Sequence, residues 1–165
     1  MASPLVELFK HNLWANLLVL ESCSNLTDEQ LDTLVPGTYG NIRSTLLHIF
    51  GAEERYVARL AEQPRPPARE NEDFPGFDDL RAWATRSGEA LIQLAGQGVP
   101  QEVLRGTLGD GRPFEIASAI MFTQAINHAT EHRAHINTVL THLGVEPCEI
   151  DAWAYGEANG QVKLG

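Results

Sequence analysis

Two cysteines stand in a chain of 165 residues, Cys23 and Cys148. They lie far apart and form no metal-type spacing, which excludes a fold stapled by disulfides and a zinc site built from thiolates. Free thiols in a reducing cytoplasm fit the pair, with a Cys23–Cys148 disulfide as the alternative. Cations are also scarce, 12 Lys plus Arg against 22 Asp plus Glu for a net charge of −10, and no basic cluster stands out along the sequence. Phosphate binding relies on concentrated positive charge, so nucleic acid and anionic membranes are excluded as partners. No uninterrupted apolar run approaches the roughly 20 residues that span a bilayer. The opening MASPLVELFKHNLWANLLVL has no basic n-region, is broken by Glu7, Lys10 and His11, and shows no clear small-residue cleavage site. The expectation is a soluble cytoplasmic protein without a signal peptide. Internal repeats, low-complexity tracts and a second composition are missing too, which leaves one domain over residues 1–165. A chain of this length buries about 70% of its unfolded surface, so neither metal nor disulfide is needed merely to hold it together.

What the chain does have is His128-Ala-Thr-Glu-His132. Residues four apart on a helix sit one above the other, so both imidazoles face the same way. At 100° per residue Met121, Ala125, Ile136, Val139 and Leu143 form one stripe with Ile116, and both histidines fall within it. Two basic rings in an apolar interior need partners. A shared metal ion satisfies both at once; two core histidines, each hydrogen-bonded to a carbonyl or carboxylate, are the alternative.

Helical periodicity organises the rest. Residues 4–22 predict a first helix, with Leu5, Leu8, Phe9, Leu13, Leu17 and Leu20 on one stripe. Asn12 and Asn16 share that stripe, either as core amides satisfied locally or as groups lining a polar pocket, and the inward histidines elsewhere favour the pocket. Thr27-x-x-Gln30 is a capping-box pattern for a short turn over 28–34. A second helix is expected from Ile42 to about Glu62, with Ile42, Leu46, Ile49, Tyr56 and Leu60 inward; His48 lies beside this stripe, and spacing alone does not make it a ligand. QPRPPARENEDFPG, with four prolines, reads as a connection over the surface. A third helix runs from Asp78 to about residue 95 on Leu80, Trp83, Ala84, Ser87, Leu91 and Leu94. Asp110-Gly111 marks a short hairpin. The last long helix is expected from about Glu115 to His142, stopping at Gly144. The tail carries Ile150, Trp153 and Tyr155, apolar enough to fold back on the bundle or to meet a second subunit. Four amphipathic helices with a minor hairpin predict an all-α four-helix bundle.

HNLWAN in the first helix, LLHIFGAEERY in the second, NHATEHRAHI in the fourth, and the closing LGVEP with WAYGE resemble the DinB superfamily of DNA-damage-inducible and related bacterial proteins, over about residues 4–157. The resemblance implies a bundle of the DinB/YfiT-like type, commonly a homodimer, holding a divalent metal on three histidines. Matched segment by segment, these are His48, His128 and His132. Members include thiol S-transferases that use bacillithiol or mycothiol and a mycothiol-dependent isomerase, and others have no assigned activity. One position departs from the pattern: His135, often glutamine in the family, could serve as a fourth ligand, but it lies roughly 10 Å along the helix axis from His128, which favours a supporting or surface role.

Three imidazoles leave coordination positions for water or substrate. The implied activity is a metal-dependent transfer of a low-molecular-weight thiol, of the bacillithiol, mycothiol or glutathione kind, to a small electrophile, with Asn12 and Asn16 shaping the pocket. The alternative is a non-catalytic metal-binding protein of the stress response or an interaction module. A hydrolase is disfavoured because no placed Glu or Asp base accompanies the triad; Glu131 projects to the flank, as a solvated charge, a partner of Arg133 or Arg55, or a support for the ligands. Zinc or nickel suits the donor set, with iron as a further option. His11 and His142 read as solvated helix-surface residues.

Overall fold

The computed structural model describes residues 3–107 and 110–163. In chain order it comprises α1 (Pro4–Cys23), α2 (Asp28–Leu31), α3 (Ile42–Leu60), a 3₁₀ turn at Arg69–Asn71, α4 (Phe77–Gln97), strands β1 (Val103–Thr107) and β2 (Pro113–Ala117), α5 (Ser118–His142) and α6 (Ala152–Ala158). The four long helices form a bundle in which α1 and α3 each pack on both α4 and α5. This is the expected all-α architecture with its small hairpin before the last long helix.

Local chemistry sets the element ends. Pro4 opens α1, where a missing N–H costs nothing. Thr27 and Gln30 form the expected reciprocal capping box on α2, and the Asn41 side chain caps α3 by accepting from the Ser44 N–H at 2.8 Å. Gly144, at φ 71°, follows the end of α5 in the left-handed region open to glycine. That helix starts at Ser118 rather than near Glu115. Glu115 and Ile116 pair with Arg105 and Leu104 in the antiparallel ladder, and the Ser118 N–H donates to the Glu102 carbonyl at 2.8 Å. Backbone groups that a helix would have satisfied are taken by the sheet.

The apolar interior divides into two clusters. One gathers Val19, Leu20, Leu46, Phe50, Leu80, Ile136 and Leu140. The other, at the opposite end of the bundle, gathers Phe9, Leu60, Leu91, Leu104, Met121 and Phe122. Between them on α1, α3 and α4 sit polar residues, which are linked to Arg133 of α5. Glu53, fully buried on α3, accepts from Asn12 Nδ2 at 2.8 Å and Asn16 Nδ2 at 2.9 Å through one oxygen, and from Ser87 Oγ at 2.9 Å through the other. Arg133 of α5, 2% exposed, donates from one nitrogen to the Asn12 and Asn16 side-chain oxygens, each at 2.7 Å. Two amides thus bridge a buried carboxylate and a buried guanidinium.

Burial pushes the Glu53 carboxyl upward while its three donors pull the other way. Burial also lowers Arg133, to about 10, which leaves it charged at neutral pH. The structure therefore places Asn12 and Asn16 as core amides satisfied locally, not as pocket walls: their oxygens and nitrogens are spent on Arg133 and Glu53.

The same end-to-end arrangement explains residues 61–76. Helix α3 finishes in the cluster that holds Leu60, whereas α4 begins in the cluster that holds Leu80. The connection must run back along the bundle, and it packs as it goes. Arg69 lies over the Trp83 ring at 4.3 Å and donates to Glu54 at 2.9 Å. The tail returns as well: Tyr155 is buried and its hydroxyl donates to Glu7 at 2.8 Å. His11, expected to be solvated, is half-buried under this tail, with Nε2 2.8 Å from the Ile150 carbonyl.

Candidate metal centre

His48 comes from α3, and His128 and His132 from successive turns of α5. One ligand nitrogen from each lies within 4.8 Å of the other two. His48 Nε2 and His128 Nε2 are 2.9 Å apart. The ring centroids are 4.7 Å apart for His48 with either partner and 4.5 Å for His128 with His132. Helical spacing supplies the α5 pair. The packing of α3 on α5 supplies His48, whose place at the edge of its stripe puts it where the two helices meet.

All three rings are shifted toward the neutral form. Burial, then the neighbouring imidazoles of His132 and His48, lower His128 from 6.5 to about 4. Burial and the nearby His48 and His135 lower His132. Burial lowers His48 as well, against an opposing pull from Glu70. Neutral imidazoles keep a lone pair free, which is the state a metal ligand needs.

The residues fit a metal ion on two observations. The buried Nδ1 atoms of His128 and His132 have no hydrogen-bond partner among the described residues, so neither ring is tied through Nδ1 to a carbonyl or carboxylate as the alternative reading requires. The 2.9 Å between His48 Nε2 and His128 Nε2 is also close to the roughly 3.3 Å expected between two imidazoles on one tetrahedral ion.

Around the histidines stand residues that sequence reading missed. Glu70, from the 3₁₀ turn in the crossover, meets His48 Nδ1 at 3.2 Å and is paired with Arg55, which donates to it at 2.8 Å. Burial would raise the Glu70 carboxyl, but the Arg55 pair outweighs it and the net shift is downward, so the group stays ionised. A carboxylate on the far nitrogen of a ligand histidine fixes its tautomer and ring orientation. Tyr39 stacks on His48 with centroids 4.2 Å apart and meets His132 edge-on at 4.8 Å. Tyr56 presents an edge to His128 at 5.7 Å. Neither spacing nor composition marks Glu70, because its role depends on the path of the crossover; Tyr39 is signalled only by the glycines that flank it at 37 and 40. Glu131 is exposed. His135 lies 5.4 Å from the His132 ring but outside the cluster of three.

Fold and site together define a class: a helical bundle with three histidines from two helices positioned to bind a metal. The chain belongs to the DinB family, whose pattern matches residues 1–163. No curated protein matches it in sequence. No helix among the described residues is long and apolar enough to cross a membrane.

Proposed function

We propose that this protein is a metal-dependent transferase that joins a low-molecular-weight thiol to a small electrophile. The observation that carries the reading is the convergence of three neutral imidazoles with no fourth protein ligand among the described residues. Such a donor set leaves coordination room for a substrate. His48, His128 and His132 would hold one divalent ion, with zinc or nickel favoured by the imidazole donors and iron accepted by them. When bound, that ion supplies Lewis-acid activation, lowering the pKa of a thiol so that the nucleophile is available near neutral pH. The chain's own residues do the remaining work. Glu70 holds His48 through Nδ1 and Arg55 holds Glu70, which keeps the Nε2 lone pair aimed at the centre. Tyr39 stacks on the His48 ring and Tyr56 meets the His128 ring edge-on, which holds both imidazoles in place.

The test is metal analysis of protein purified without nickel resin, followed by turnover against a panel of thiols and electrophiles. His48→Ala, His128→Ala and His132→Ala should each lose the ion and the activity. Retention of one tightly held ion by all three variants overturns the ligand assignment. Full metal loading without turnover across the panel moves the protein to the non-catalytic reading, a metal-binding stress or interaction protein.

The same proposal takes the protein as a cytoplasmic homodimer. Leu8, 48% exposed, lies where α1 and α5 present an apolar groove that includes Leu5, Phe122 and Ile126. Sedimentation of the purified protein checks the dimer.

A further inference from the structure

Ten of the twelve basic residues are arginines, spread thinly along the sequence. Folding gathers four of them. Arg55 and Arg59 lie one turn apart on α3, Arg65 begins the crossover, and Arg105 stands on β1; together with Leu104 they wall a cleft of about 540 Å³. A second cleft of about 400 Å³ shares Arg55, Arg59 and Arg65 and continues past Tyr56 to Met121. Tyr56 is the residue whose ring edge meets His128. The second cleft therefore ends against Tyr56, with the histidine centre on the other side of that ring.

The charges in this place are unequal. Arg55 is paired with Glu70 and Arg105 with Glu115. Arg59 and Arg65 have no carboxylate at ion-pair distance among the described residues, although Glu62 lines the same wall. Arg59 is held in place nonetheless. Its guanidinium lies over the Phe114 ring at 4.4 Å and against Gly106, where a Cβ would come within 2.0 Å of its Nη1 and displace it. Burial, and then the charge of Arg65, make the Arg59 cation less favourable than in water. Its position in the last turn of α3 suits the helix dipole, but that accounts for one arginine and not for the approach of Arg65.

We infer that the cleft binds the carboxylate end of a small organic substrate whose other end points toward Tyr56 and the histidine centre behind it, with Arg59 and Arg65 as its anion-binding residues. This rests on the transferase reading and names its substrate class, an acid-bearing thiol or electrophile. Guanidinium forks match carboxylates with paired hydrogen bonds. The nearby Glu62 and Glu115 disfavour a phosphate, which concentrates two charges on one group, relative to a carboxylate, which carries one charge per group. A volume of this order suits a small molecule rather than a lone ion.

The experiment is a titration of zinc-loaded protein with succinate, read on the assigned arginine side-chain N–H signals by NMR. The signals of Arg59 and Arg65 should shift and saturate, while those of Arg81 and Arg86 on α4 stay put. Neutral succinamide should move neither set. Arg59→Gln with Arg65→Gln should weaken succinate binding by about tenfold or more, with zinc content and helical circular dichroism unchanged. His48→Ala should keep the succinate response whether or not it keeps zinc, so loss of the metal reading and loss of the anion site are separately visible. Shifts that fail to saturate, that appear equally at Arg81 and Arg86, or that persist at the same affinity in the double variant overturn the assignment. A response to phenyl phosphate but not to succinate overturns it as well.

Discussion

Two polar regions lie inside this bundle next to each other on α5, at Arg133 and at His132, and they are built on opposite terms. In the layer around Glu53, the carboxylate, both amides and Ser87 are all matched, and only Arg133 Nε lacks a partner. In the histidine face, two buried ring nitrogens of the triad are unmatched and two others confront each other at 2.9 Å. Both regions remove charge-bearing groups from water. The first offsets that cost within the chain, and the second leaves it to be offset by something that arrives. Closed polar networks of the first kind specify structure, and open ones of the second mark function.

The contrast can be broken most forcefully at Glu53. Glu53→Ala strands the Arg133 charge in the core and should destabilise the protein by about 3–5 kcal/mol, measured by urea unfolding. A loss below about 1 kcal/mol would mean that the layer is hydrated or dispensable. Asn12→Ala removes one bridge and should cost about 1–3 kcal/mol while metal content stays at wild-type level. Metal loss in that variant would erase the distinction between the two regions.

The histidine face should respond to ligand and proton instead. Chelation should leave a helical bundle, less stable by the binding energy forfeited, because the two apolar clusters do not depend on the ion; a coil spectrum would make the metal structural. In the chelated protein His128 resists protonation down to about 4, whereas the unfolded chain accepts the proton near 6.5. Stability from this group is therefore complete above the higher value and declines as pH falls toward the lower. Comparing urea midpoints at neutral pH and about pH 5 checks the slope, and equal midpoints would show that the rings are not held neutral. The smallest effect is expected from His135→Gln, which should leave metal stoichiometry unchanged.

Much of this was legible in the sequence where a single helix carries the information. The α5 stripe, the capping box at Thr27 and the inward face of Asn12 and Asn16 follow from period and phase. What failed required knowing which helix lies opposite. The amides pointed inward as expected, but the presence of Glu53 and Arg133 across from them, and not a pocket, decides what they do. His48 needed the family resemblance because its phase is marginal. Glu70 and the arginine cleft depend on a crossover that periodicity reads only as proline-rich.

The Glu53 layer has one more consequence. It is a ruler laid across four helices. A slip of α3 against the other three helices by one turn, about 5.4 Å, would break all three hydrogen bonds to Glu53, and the same slip would carry His48 away from His128 and His132. Glu53 lies five residues beyond His48, and Arg133 directly follows His132. Keeping the ruler aligned therefore keeps the imidazoles opposite one another before any ion binds, so the site's geometry is set by groups that never touch what it holds.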